Sequence, residues 1–207
     1  MAESAPPPNR WRPLPPDELF AVMQDAPFPW CLAGGYALER FVGYRYRDHG
    51  DIDITVFRAD QAELQRHLAG FALFAADPPG RLRPWPTGSR LPAGVHDVWA
   101  HRRGRDRWEL QVMLQDADEG AWYYRRDRRI HGPRSEFLVD LDGVPCIRPD
   151  IQLLYKSKDV RARDQEDFER CLPRLDSGQR ESLRRRLATA YPDGHRWLDR
   201  VSSLPTG

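Results

Sequence analysis

Apolar residues recur along this chain with two different periods, and the change from one to the other divides it. At 16–26 the apolar positions Leu19, Phe20, Val22 and Met23 form one stripe behind Pro16-Asp17, which predicts an amphipathic helix. Residues 29–32 read as a short buried strand. Residues 36–42 read as a helix with Ala37, Leu38 and Phe41 inward and Gly43 as its C-cap. At 51–57 the period becomes two, and the pattern predicts a strand with Asp51 and Asp53 on one face and Ile52 and Ile54 on the other. Further along, Asp60 is expected to cap a helix at 61–69, followed by a strand at 71–75. Residues 77–92, with five prolines and three arginines, read as a long loop. Strands at 95–101 and 108–115 make a hairpin, 122–130 an aromatic, arginine-rich edge strand, and 137–141 with 144–147 a second hairpin about Asp142-Gly143. From 149 the period is helical, with helices expected at 150–159, 164–171, 177–190 and 197–201.

This order predicts an α+β fold: a mixed β-sheet flanked by helices at 16–147, a C-terminal helical subdomain at 148–207, and a proline-rich, irregular, partly ordered arm at 1–15. The 207 residues suffice for one substantial domain with a small helical appendage. A net charge of +1 gives no general pull toward nucleic acid or membrane, and the apolar runs fall short of a membrane span. The N-terminus lacks the pattern of a secretory signal. Cys31, Cys146 and Cys171, odd in number and scattered, fit neither a disulfide framework nor a zinc site. A cytoplasmic protein, monomer or homodimer, is therefore expected. Of 32 basic residues only Lys156 and Lys158 are lysine, so two lysines on one short segment draw notice.

The chemistry concentrates at 33–57. Gly34-Gly35 opens the helix at 36–42; 15 residues separate Gly35 from Asp51, and the run Arg47-x-His49-x-Asp51-Ile52-Asp53 leads into the strand. Two carboxylates on one strand face, behind a glycine turn, suit a divalent metal carrying a phosphorylated ligand. Glycines at a helix start let backbone N–H groups approach phosphates, where the helix dipole favours anions.

The segment resembles the signature of the polymerase-beta-like nucleotidyltransferase superfamily. The long spacer and the Arg47-x-His49-x-Asp51 lead-in resemble the aminoglycoside 2''-adenylyltransferase-like family in particular. The resemblance spans roughly residues 30–170 and implies a nucleotidyltransferase fold, with Mg²⁺ held by Asp51 and Asp53 and ATP as donor. It places the triphosphate near Gly34 and Gly35, and Arg47 and His49 beside the metal site. The Lys156 segment resembles a family stretch reading Leu-Leu-x-Lys, then Arg-x-Lys-Asp-x-x-Asp, with Arg163 where lysine is usual; Lys156 could offer its ammonium to the triphosphate, Asp164 could cap the next helix and Asp167 could pair with Lys156.

The superfamily usually adds a third carboxylate, a second-metal ligand and base for the acceptor hydroxyl. The stretch Trp108-Glu109-Leu110-Gln111-Val112-Met113-Leu114 resembles one that typically reads Trp-x-hydrophobic-Asp-Val-Met-Leu, so Gln111 holds the expected Asp position. Gln111 is neutral, a poor Mg²⁺ ligand and no base. Glu109, two residues away and so on the same strand face, and Asp97 on the preceding strand are the other candidates. The implied activity is transfer of AMP from ATP to a hydroxyl of a small molecule, an aminoglycoside-like antibiotic. Asp77, Asp97, Asp116, Asp118 and Glu119 are available for an anionic acceptor cleft. Two alternatives stay open: a toxin-type nucleotidyltransferase acting on tRNA or protein, and a non-catalytic nucleotide-binding protein. The arginines of 122–130 read as an edge strand rather than a nucleic-acid surface.

Overall fold

A computed structural model describes residues 4–203. In chain order its elements are α1 (Pro16–Met23), β1 (Trp30–Ala33), α2 (Gly34–Val42), β2 (Asp53–Phe57), α3 (Gln61–His67), β3 (Phe71–Ala76), β4 (Leu82–Pro84), β5 (Asp97–Arg102), β6 (Leu110–Gln115), β7 (Ala121–Tyr123), β8 (His131–Pro133), β9 (Leu138–Leu141), β10 (Val144–Ile147), α4 (Pro149–Lys156), α5 (Ala162–Cys171), α6 (Ser177–Ala190) and α7 (Leu198–Ser202). The chain divides into two compact units that interleave in sequence. One comprises the chain up to Leu32 together with Arg47–Ala117; the other comprises Ala33–Tyr46 and the chain from Asp118 onward. The helices of 148–207 belong to the second unit.

In the first unit the strand order is β4-β3-β5-β6-β2-β1. β2 and β6 run parallel, and β3/β4, β3/β5 and β5/β6 are antiparallel, so the sheet is mixed. Alternation sorts its side chains. Ile54, Val56, Val98, Ala100, Val112 and Leu114 are buried on one face, and each large aliphatic among them contributes about 1.5–3 kcal/mol. Leu19 and Met23 of α1 and Leu64 of α3 are fully buried in the same unit. On the opposite face Asp53, Gln111, Met113, Asp97 and Trp99 stay half-buried.

Four expectations change in this unit. Asp60 makes no side-chain cap; a 3₁₀ turn, Arg58–Asp60, leads directly into α3. The proline-rich loop contains β4, which pairs with β3. β2 and β6 are shorter than the alternation implied, beginning at Asp53 and Leu110. The described part of the N-terminal arm is docked along the chain before β6: Trp108 N–H donates to Arg10 O (2.8 Å), Arg12 N–H to Trp108 O (2.9 Å) and Leu14 N–H to Glu109 O (2.9 Å). Trp11 packs on Trp99 and Trp108, with Leu14 buried. Proline content suggested an irregular arm, but the N–H groups of Arg12 and Leu14 find partners on the chain leading into β6.

In the second unit β9 and β10 form the expected hairpin, with Leu141 opposite Val144. Asp142 and Gly143 both have positive φ, 52° and 80°, as a two-residue turn matched to strand twist requires. Residues 122–130 are not one edge strand: β7 turns back and pairs with β8 as a ribbon. The helices bury Ile151, Leu153, Leu154, Phe168, Leu183, Leu187 and Trp197, and Phe168 stacks on Trp197 with centroids 4.3 Å apart. The fully buried Asp150 accepts from Arg148 Nε (2.9 Å) and from Arg186 Nη1 (2.5 Å), which joins α4 to α6.

Candidate active site

The carboxylate strand is built by burial of its neighbours. Ile52 and Ile54 are 0% exposed, and this anchors the head of β2. Asp51, just before the strand, and Asp53, its first residue, keep partial exposure. The hydrogen bond from Gln111 N–H to Ile52 O (2.9 Å) locks the parallel register at this point. Asp53 stands opposite Gln111, and Gln111 opposite Trp99. One row across three strands thus reads carboxylate, amide, indole.

That register puts Gln111 beside Asp53, where a third carboxylate would share its face. Glu109 does not take its place. Trp108 packs its ring on Trp99, Phe74 and His101, with centroids 5.4–5.5 Å apart, on the Gln111 side of the sheet. Leu110, opposite Ala100, is buried on the other side. Residues 108 and 110 therefore break the alternation, and the expectation that Glu109 shares the face of Gln111 fails for that reason. The Glu109 carboxylate is buried and accepts from Arg102 N–H (2.7 Å), with the Arg102 guanidinium 3.5 Å away and itself paired with Glu18 of α1. Asp97 does lie on the face of Gln111, opposite Met113, but two strands removed from β2.

Arg47 and His49 lie in the segment before β2. Arg47 Nη1 donates to Asp48 O (3.2 Å) and meets His49 Nδ1 at 3.0 Å, so the two side chains order this loop together. Of the acidic residues proposed for an acceptor cleft, Asp116 is tied to Arg58 at 2.5 Å. The exposed Asp118 accepts from the Tyr123 hydroxyl and two backbone N–H groups, which hold its carboxyl below the usual range.

The glycine turn belongs to the second unit. Gly34 starts α2 with φ 66°, a left-handed conformation that glycine adopts without strain. Its N–H donates to Gln152 Oε1 of α4 at 2.8 Å, so this donor is committed within the protein. Gly43 closes α2 at φ 86°, with its N–H on Glu39 O at 2.8 Å. Gln152 was missed in the sequence; its only signal is a polar residue among the buried positions of α4.

Lys156 is also committed. Its ammonium lies 3.1 Å from Asp164 and 2.9 Å from Asp167, and all three side chains are at most 10% exposed. Tyr46, another residue the sequence reading missed, donates its hydroxyl to Asp167 at 2.7 Å. Asp164 is not the N-cap of α5: it sits at N3 and accepts from the backbone N–H and guanidinium of Arg161, the N-cap residue. Burial alone would raise the Asp164 carboxyl; Arg161 and Lys156 outweigh it and hold the pKa at about 2. Burial pushes the Cys146 and Cys171 thiols up to about 12, which makes them inert. The arginines of the ribbon region meet the protein's own groups: Arg128 lies over Tyr123 at 4.2 Å, Arg126 over Tyr124 at 5.7 Å, and Arg129 pairs with Asp127 at 2.6 Å.

Among the described residues no three His, Cys, Asp or Glu gather as a metal cluster. Asp51 and Asp53 supply two hard oxygen donors. Mg²⁺ is commonly bound through one or two carboxylates plus substrate phosphates, so this pair fits an ion arriving with a nucleotide rather than one held in an all-protein cage. Among the described residues no helix is long and apolar enough to cross a membrane.

No curated protein sequence matches the chain. Solved structures share its nucleotidyltransferase fold. LnuA, a lincosamide antibiotic adenylyltransferase in its lincomycin-bound form, is 17% identical with a TM-score of 0.53, over 77% of this chain and 97% of its own. The antibiotic-resistance factor ANT(2'')-Ia in solution is 17% identical with a TM-score of 0.55, over 86% of this chain and 91% of its own. Its crystal structure with adenylyl-2''-tobramycin is 16% identical with a TM-score of 0.53, over 86% and 96%. The sequence profile described as Aminoglycoside-2''-adenylyltransferase matches residues 17–171, a span that takes in the glycine turn, both strand carboxylates, Gln111 and the Lys156 segment, and the chain therefore belongs to that family.

Proposed function

We propose that this protein is a Mg²⁺-dependent adenylyltransferase that moves AMP from ATP to a hydroxyl of an aminoglycoside-like antibiotic. The observation that carries the reading is the carboxylate pair at the head of β2, held in place by the two fully buried isoleucines between and after it. Asp51 and Asp53 would hold Mg²⁺, which when bound supplies charge neutralisation to the phosphates. The Gly34 N–H is given to Gln152 within its own unit, so that donor is not offered to a phosphate. Arg47 and His49 order the approach to Asp51. Lys156, bound by two buried carboxylates, serves by fastening α4 to α5. Membership of an aminoglycoside family supports the acceptor class, and the lincomycin-bound relative adds lincosamides to the compounds worth testing.

The test is pyrophosphate release by the purified chain with Mg-ATP and a panel of aminoglycosides and lincosamides. Turnover with at least one acceptor is expected; none above background across the panel sinks the reading. One observation favours a second reading, a nucleotide-binding protein without transfer: Gln111 stands beside Asp53, and Glu109 is spent on Arg102. Tight Mg-ATP binding without turnover would decide for it.

A further inference from the structure

Residues before 17 lie outside the span shared with the family, yet the backbone of Arg10, Arg12 and Leu14 is hydrogen-bonded to Trp108 and Glu109, the residues that lead into β6. The arm bonds to Trp108 and Glu109, and β2 then takes over along β6 from Gln111, so arm and β2 follow one another beside the same strand. The arm is held at several points: Trp108 Nε1 donates to Pro7 O at 3.1 Å, Arg10 pairs with Asp106 at 2.7 Å, and Leu14 is buried. This fixes Trp11 edge-on against Trp99 at 4.9 Å. Trp108 beneath is fully buried, whereas Trp11 and Trp99 remain half-buried.

We infer that Trp11 and Trp99 form an aromatic wall that binds the ring of a cationic aminosugar acceptor beside the candidate carboxylates. The inference rests on the proposed function and names a substrate-binding element of the same site. The row Asp53, Gln111, Trp99 sets its chemistry. Adjacent strands lie roughly 4.8 Å apart, so Trp99 is roughly 10 Å from Asp53 along the sheet, about the reach of one substituted sugar ring. The Gln111 amide offers a donor and an acceptor to ring hydroxyls. The indoles offer a surface to the C–H face of the ring and to its ammonium groups, and Asp97 adds a carboxylate on the same face. A nucleobase is the competing occupant, and it would be revealed by the same experiment.

The full-length chain and its Trp11→Leu, Trp11→Phe and Trp99→Leu variants are titrated calorimetrically with tobramycin and, separately, with Mg²⁺ and a non-hydrolysable ATP analogue; melting curves check folding. Trp11→Leu is expected to weaken tobramycin about tenfold and leave nucleotide affinity within about twofold, with Trp11→Phe restoring most of the loss. Trp99→Leu leaves the arm's backbone bonds in place and is expected to give the same split, which covers the case in which Trp11→Leu fails to fold. Unchanged tobramycin affinity, or a parallel loss of nucleotide affinity, overturns the inference. Wild-type turnover with an acceptor KM unchanged in both leucine variants sinks this inference alone; a wild-type chain that transfers to no acceptor sinks the proposed function as well.

Discussion

Replacing Lys156 with methionine separates two roles for this largely enclosed lysine. The substitution keeps an unbranched stem and removes the ammonium that lies 3.1 Å from Asp164 and 2.9 Å from Asp167. Asp167 is 0% exposed and keeps the Tyr46 hydroxyl, while Asp164 keeps Arg161. Removing one partner of a buried pair costs about 3–5 kcal/mol, and the retained Arg161 places the expected loss near 3. For a chain of this size that is a fall in Tm of roughly 6–12 °C. The pH dependence has a definite sign. Asp164 titrates at about 2 in the folded chain against 3.8 ordinarily, so its contribution is present above pH 4 and is lost as pH falls toward 2. It amounts to about 2 kcal/mol. The stability gap between wild type and Lys156→Met should therefore be full at pH 7 and narrow between pH 4 and 2. Urea unfolding at a series of pH values measures it. A variant within 1 kcal/mol of wild type at pH 7 that has lost ATP affinity would refute the reasoning and return Lys156 to the nucleotide.

Asp53→Asn should lower pyrophosphate release by at least about 100-fold, since it removes a hard anionic donor from the pair, while the unfolding midpoint stays close to wild type. Glu109→Gln should cost about 1–2 kcal/mol in urea unfolding by weakening the bond from Arg102 N–H; turnover per folded molecule within threefold of wild type is expected, and its abolition would make Glu109 the missing base. Gln111→Asp puts a carboxylate beside Asp53 and should raise turnover about tenfold or more at saturating Mg²⁺; no gain would show that the neutral side chain is not what limits transfer.

What could be read from the sequence is what local spacing decides. Alternation alone put Ile52 and Ile54 in the core and Asp51 and Asp53 on the other face, and both isoleucines are fully buried. Asp142-Gly143 marked its hairpin because positive φ at two consecutive positions selects those residue types. The candidate site was less legible wherever a distant group decides a side chain's partner. Glu109 was placed by alternation, but alternation ends where the arm pairs with Trp108 and Trp11 and Trp99 take up its ring. No local pattern reports that a segment almost a hundred residues earlier supplies those bonds. The Asp167 pairing with Lys156 was visible from the family pattern, but the cost was not: an ammonium held by two buried carboxylates is no longer an uncommitted donor for phosphate. The Gly34 turn makes the same argument in the backbone. A glycine at a helix start looks like a phosphate donor from its neighbours alone, yet Gln152, 118 residues away, takes its N–H. A buried acceptor with a single good donor competes with any ligand for that donor. The motif therefore specifies the conformation of the turn at Gly34, and that conformation gives its N–H to the protein's own amide.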